Sequence, residues 1–161
     1  MTFRICFVCL GNICRSPIAE IVMRALLVDA GLTDRVDVSS AGTGDWHIGE
    51  RADPRTVDVL SRHGYDGSSH RAQQFVAAMF ADNDLVVAMD KNNLAALRLL
   101  APPGREDDVR LLRSFDPDAD GTDVPDPYYG GADGFDEVLA MVEAACQGLL
   151  DWLRASELAR S

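Results

Sequence analysis

The chain is 161 residues long, with 47% hydrophobic and 25% charged residues, which suits one globular domain, residues 1–161, with a single full-sized core. A net charge of −11 argues against nucleic acid as the main partner, because such binding rests on basic patches meeting phosphates. No apolar run is long enough to cross a membrane and nothing at the start reads as a signal peptide, so no membrane partner is expected and a cytoplasmic location is the default.

The first predicted element is the run Phe3-Arg4-Ile5-Cys6-Phe7-Val8, β-branched and aromatic, which reads as a buried strand. A short loop, Cys9 to Arg15, leads into an amphipathic helix with Ile18, Ile21, Val22, Ala25 and Leu26 on one side and Glu20 and Arg24 on the other. Ser16 is expected to cap that helix, Pro17 to fit its first turn, and Gly31 to end it. Val36 to Gly42 reads as a second strand, followed by a loop, 43–49, that carries Trp46. Asp53-Pro54 starts a second helix, which Val57, Leu60 and Ser61 continue up to Gly64. His70 to Phe75 is expected to open a short helical stretch. The apolar run 84–89 reads as a strand covered on both faces. Asp90 and a leucine-rich helix ended by Pro102-Pro103-Gly104 come next, then a fourth strand over Val109–Leu112. An acidic, proline-rich loop covers Arg113–Asp133, and a last helix runs from about Phe135 to Leu153. Alternating strands and helices imply an α/β fold: a four-stranded parallel sheet with helices on both faces. Ligands of such sheets bind beyond the carboxyl ends of the strands, where the Cys9 loop, the Ser40 region and Asp90 converge.

The stretch Cys9-Leu10-Gly11-Asn12-Ile13-Cys14-Arg15-Ser16 has a chemical meaning in that position. Loop amides and a helix N-terminus form an anion cradle. Arg15 adds a planar fork that matches two phosphate oxygens, and Gly11 lets the backbone turn tightly. A cysteine at the base of such a cradle is held as a thiolate, since thiol pKa values in these settings fall to roughly 3.5–7.5. A thiolate beneath a phosphate dianion is a nucleophile aimed at phosphorus. The acidic net charge sits awkwardly with an anionic substrate, so the cradle must be locally positive while the acidic surface lies elsewhere.

This string, with Pro17 after it and within a few residues of the N-terminus, resembles the signature loop of the low-molecular-weight protein tyrosine phosphatases. The resemblance implies a hydrolase acting on phosphotyrosine monoesters in proteins or peptides through a cysteinyl-phosphate. Inorganic phosphate would be product and competitive ligand, with no metal and no cofactor. Cys9 would be the nucleophile and Arg15 the phosphate clamp, with Leu10, Gly11, Asn12, Ile13 and Cys14 forming the rest of the loop. The acidic loop offers several aspartates as proton donor, and composition does not choose among them. Asp126-Pro127-Tyr128-Tyr129 resembles the family segment that carries the general acid, which assigns Asp126. By the same resemblance Asn12, Ser40 and His70 hold the loop, Ser16 donates to the thiolate, and Asp90 orients Arg15. Trp46, Tyr128 and Tyr129 correspond to an aromatic rim around the substrate ring, and the two tyrosines are candidate sites for a tyrosine kinase. One departure is Gln73, where the family often has arginine, which leaves the charge of that stretch open.

Cys6 and Cys146 read as core residues, and no cysteine spacing suggests zinc. Cys14, in the same loop as Cys9, is a candidate for a reversible disulfide that switches activity off under peroxide, hence redox regulation. His47 and His63 are read as carrying no site role. Two rival functions fit these residues less well. An arsenate reductase of the same loop type needs further cysteines, and only Cys146 lies downstream. A non-catalytic phosphotyrosine-binding module predicts loss of the nucleophile or acid, yet Cys9, Arg15 and Asp126 are all present.

Overall fold

Alternation along the first strand decides the layering. In β1 (Phe3–Cys9) Ile5 and Phe7 face one way, Cys6 and Val8 the other, and all four are buried. A strand buried on both faces belongs at the centre of a sheet. The computed structural model describes residues 2–131 and 133–160, so residues 1, 132 and 161 of the predicted domain lie outside the described residues. It places β1 between β2 (Val36–Gly42) and β3 (Leu85–Ala88), with β4 (Val109–Leu111) beyond β3, in the order β2-β1-β3-β4. All pairings are parallel. The register sets Cys9 opposite Gly42 and Val8 opposite Ala88, so the carboxyl ends of the three strands finish at one edge.

Helices cover both faces. On the Ile5 and Phe7 side lie α1 (Arg15–Asp29), α2 (Pro54–Arg62) and α4 (Asp133–Trp152), contributing Ile18, Val22, Leu60 and Val142 to one core. On the Cys6 and Val8 side, α3 (Lys91–Leu100) supplies Leu97, and Phe75 and Phe80 meet edge to face at 5.1 Å. Burying each such side chain contributes roughly 1.5–3 kcal/mol. Burial pushes the Cys6 thiol up to about 12 and raises the fully buried Cys146 thiol, so both behave as small apolar residues. Asp53 caps α2 by accepting from the Arg55 amide at 2.9 Å.

Four expectations need correction. α1 starts at Arg15 with Cys14 at its cap position, so Ser16 lies inside the helix and does not cap it; its hydroxyl is engaged by Cys9 and Asn12 instead. The stretch from His70 to Phe75 is extended, and the helical turn begins only at Ala77 (a 3-10 segment, Ala77–Asp82). Its backbone is spent on long-range contacts: the Gly42 amide donates to the Gln73 carbonyl and the Phe75 amide to the Gly42 carbonyl, at 2.8 and 2.7 Å. The buried stripe of α1 runs through Ile18, Ala19, Val22, Met23 and Leu27, leaving Ile21 and Leu26 half-buried, because the helix is covered by both β1 and α4. The loop predicted from Arg113 starts as a 3-10 turn, Leu112–Phe115.

Candidate active site

The loop between β1 and α1 is built around one strained residue. Asn12 has φ 58, a left-handed conformation that costs a non-glycine residue on the order of 1–3 kcal/mol unless its surroundings fix it. They do. The Asn12 side-chain amide donates to the Ser16 hydroxyl at 2.8 Å and the Ser40 hydroxyl at 3.0 Å. Its amide oxygen accepts from the Gln73 N–H at 3.0 Å, and its carbonyl accepts from His70 Nε2 at 2.7 Å. Ser40 in turn donates to Glu20 at 2.6 Å. Gln73 brings no charge to this stretch; its side chain donates to the Ser40 carbonyl at 2.9 Å.

Backbone packing completes the cradle. A Cβ on Gly42 would stand 2.7 Å from the Leu10 carbonyl oxygen, so the loop can lie against the end of β2 only because that position is bare. The Thr43 and Gly44 amides donate to the Cys9 and Leu10 carbonyls, each at 2.9 Å.

Cys9 is buried at the floor of a cavity of about 260 Å³. Its sulfur lies 3.0 Å from the Ser16 hydroxyl and accepts from the Asn12 amide at 3.3 Å. Arg15 is 2% exposed. One terminal nitrogen donates to Asp90 at 2.6 Å and to the Val124 carbonyl at 3.0 Å; the other lies 3.7 Å from Asp126. Burial opposes the Arg15 charge, but Cys9, Asp90 and Asp126 outweigh it and hold its pKa above the usual value. Asp90 serves twice, since its other oxygen caps α3 by accepting from the Asn93 amide at 2.7 Å.

Asp126 comes from the acidic loop. One carboxylate oxygen accepts from the Tyr128 amide at 3.0 Å, an Asx turn that Pro127 stiffens, which leaves the oxygen nearest Arg15 at the cavity wall. Tyr128 and Tyr129 stand edge to face at 5.0 Å; Tyr129 is 90% exposed and Trp46 67%. The Trp46 ring lies over Gly44, where a Cβ would come within 1.9 Å of it.

Of the predicted residues, Cys9, Leu10, Gly11, Ile13, Cys14, Arg15, Trp46, Asp126, Tyr128 and Tyr129 line this cavity. Asn12, Ser16, Ser40, His70 and Asp90 do not; they pack around the loop. Asn12, expected among the phosphate contacts, turns its side chain into the protein. Cys14 is buried, and burial first, then Asp53, pushes its thiol up to about 12, against a hydrogen bond to Thr56.

Two residues at the site were missed. His47, read as having no site role, lines the cavity, pairs with Glu50 at 2.8 Å and comes within 6.4 Å of the Tyr128 ring. Arg55 grips Asp53 at 3.0 Å, donates to the Tyr128 carbonyl at 3.0 Å and lies over the rings of Tyr128 and Phe135. The Asp53-Pro54-Arg55 string offered a local signal, a cap followed by a free guanidinium; nothing local marked His47.

The family model described as low molecular weight phosphotyrosine protein phosphatase matches residues 4–160. A low molecular weight protein-tyrosine-phosphatase of Streptomyces coelicolor is 60% identical over 157 residues, covering 96% of this chain and 95% of that one. Low molecular weight protein-tyrosine phosphatase A of Mycobacterium tuberculosis is 50% identical over 150 residues, 91% of this chain and 89% of that one. A crystal structure of a protein tyrosine phosphatase from Entamoeba histolytica superposes with a TM-score of 0.93 at 36% identity, covering 97% of this chain and 99% of that one.

Proposed function

The chain belongs to the low molecular weight phosphotyrosine protein phosphatase family, and on that premise we propose that it hydrolyses phosphotyrosine monoesters through a cysteinyl-phosphate. The observation that carries this reading is the meeting, in one cavity, of a sulfur, a guanidinium and a carboxylate: Cys9, Arg15 and Asp126. Arg15 has one terminal nitrogen committed to Asp90 and Val124, which fixes the plane of the guanidinium. The remaining N–H groups are left to grip two phosphate oxygens, and the loop amides take the rest.

In the first step the Cys9 thiolate attacks phosphorus in line. The bond from phosphorus to the phenolic oxygen breaks, and Asp126, as the carboxylic acid, gives its proton to the departing phenolate. A thiolate only accepts hydrogen bonds, so the Ser16 hydroxyl turns its single proton to the sulfur and stabilises it before attack. In the second step Asp126, now a carboxylate, takes a proton from water, whose oxygen attacks the cysteinyl-phosphate and releases inorganic phosphate. The flat rim of Trp46, Tyr128 and Tyr129 selects an aryl ester long enough to reach the floor.

Cys14 supports a redox reading of the same loop. Peroxide converts the Cys9 thiolate to a sulfenic acid with loss of hydroxide. The Cys14 sulfur then displaces that hydroxyl as water, and a disulfide protects Cys9 until an external thiol reduces it. A reducing compartment, the cytoplasm, suits four unpaired cysteines. The exposure of Tyr129 leaves its hydroxyl open to a tyrosine kinase.

The test is phosphate release from a phosphotyrosine peptide with chelator and reductant present. Wild type is expected to be active and Cys9→Ser inactive; activity that survives in Cys9→Ser overturns the mechanism. For the switch, Cys14→Ser is expected to lose the recovery by thiol that wild type makes after peroxide.

A further inference from the structure

A second depression of about 760 Å³ adjoins the cavity and shares Ile13, His47 and Tyr128 with it as a common wall. Its lining also includes two exposed arginines, Arg51 and Arg71. They are neighbours because the segments that bear them are laced together: the Ala72 amide donates to the Glu50 carbonyl, and the Gly49 amide to the Ala72 carbonyl, both at 2.8 Å. Neither guanidinium has a carboxylate partner among the described residues; Arg71 donates to the His70 carbonyl, and Arg51 makes no hydrogen bond. The two acids on the same groove are already taken, Glu50 by His47 and Asp53 by Arg55. In a chain of net charge −11, two guanidiniums on one groove are thus left without a carboxylate partner of their own among the described residues. Acids elsewhere do not cancel this local field, because salt screens charges beyond about 8 Å at physiological ionic strength.

We propose that this groove binds the carboxylate side chains that flank phosphotyrosine in the substrate, so that the enzyme prefers acidic phosphopeptides. The inference rests on the phosphatase reading and names its substrate class. A polypeptide whose phosphotyrosine enters the cavity runs on across the wall of His47 and Tyr128. Extended chain advances ~3.3–3.6 Å per residue, which brings side chains one to three positions from the phosphotyrosine over Arg51 and Arg71. Arginine offers its planar fork to a carboxylate there.

The test separates the groove from the chemistry. Affinity is measured in the Cys9→Ser background for a phosphotyrosine peptide flanked by aspartate and glutamate, and for its asparagine and glutamine counterpart. The acidic peptide is expected to bind about two- to thirtyfold tighter, the range of two exposed ion pairs, and the advantage should shrink in high salt. Arg51→Ala with Arg71→Ala is expected to abolish the advantage, and Arg51→Glu with Arg71→Glu to reverse it in favour of a lysine-flanked peptide. Equal binding of both peptides, or an advantage that persists in the double variant, overturns the proposal. Turnover of p-nitrophenyl phosphate, which cannot reach the groove, is expected to be unchanged in these arginine variants of the otherwise intact enzyme. Failure of the wild type to hydrolyse that ester would sink the phosphatase reading instead, while the binding comparison still decides the groove.

Discussion

The loop from Cys9 to Ser16 and the loop that carries Asp126 hold the two halves of one reaction, and they are built in opposite ways. The first is buried apart from Leu10 and Gly11, strained at Asn12 and pinned by Ser16, Ser40, His70 and Gln73. The second is largely exposed; the Asp126 side chain is 34% exposed, and the loop is tied down at Val124, whose amide donates to the Met89 carbonyl, and at the Tyr128 carbonyl held by Arg55. The difference follows from what each group must do. A nucleophile and a phosphate cradle gain by being fixed before substrate arrives, because reorganisation then costs nothing at the moment of reaction. A residue that gives a proton in one step and takes one from water in the next needs access to solvent.

The largest expected effect comes from the exposed loop. Asp126→Asn should lower kcat about 10²–10⁴-fold for phosphotyrosine, and far less for p-nitrophenyl phosphate, whose leaving group needs no proton. Equal losses on both substrates would remove Asp126 from the acid role. In the buried loop, Asn12→Ala removes the side chain that holds the strained backbone and leaves the Gln73 N–H without its acceptor. It should cost about 1–3 kcal/mol in urea unfolding and lower kcat more than it raises KM. Unchanged kcat would mean that the cradle does not depend on its pins.

Arg55→Ala sharpens the comparison from the other side. It touches neither the sulfur nor the phosphate cradle, and it releases the Tyr128 carbonyl. The expected result is a few-fold loss of kcat on phosphotyrosine with p-nitrophenyl phosphate almost unaffected, the pattern of Asp126→Asn in miniature. The smallest effect concerns pH. Burial raises the pKa of Asp53, but hydrogen bonds and charge from Arg55 outweigh it, so the folded pKa is lowered. A lowered carboxyl contributes stability that is present above its unfolded pKa and lost as pH falls through the folded one. Asp53→Asn should therefore be less stable than wild type at neutral pH, with the gap closing below about pH 4 as the wild-type carboxyl protonates. A gap independent of pH would assign the loss to packing instead.

What the sequence revealed divides along the same line as the two loops. The strand, loop and helix around Cys9 were legible because an apolar run, a turn and an amphipathic run follow one another locally. The 70–75 segment was misread because its polar residues bond to Asn12, Ser40 and Gly42, which lie far away in the chain, and no local period records that. Ser16 was read as a cap because serine before proline at a helix start has that use, yet a sulfur and an asparagine compete for the same hydroxyl. His47 gains its place from the fold of 43–50 against Tyr128, a meeting that no spacing announces. The acid itself was chosen from six aspartates by resemblance, since an exposed loop carries no pattern of burial to read.

The covalent intermediate is the most direct test of the central claim. Wild type and Asp126→Asn are mixed with radiolabelled p-nitrophenyl phosphate, quenched in acid within milliseconds and mapped by proteolysis. The account predicts label on the peptide that contains Cys9, lost in Cys9→Ser, and accumulating in Asp126→Asn because the base for the second step is gone. Label that is absent, or that stays on the peptide in Cys9→Ser, would contradict it.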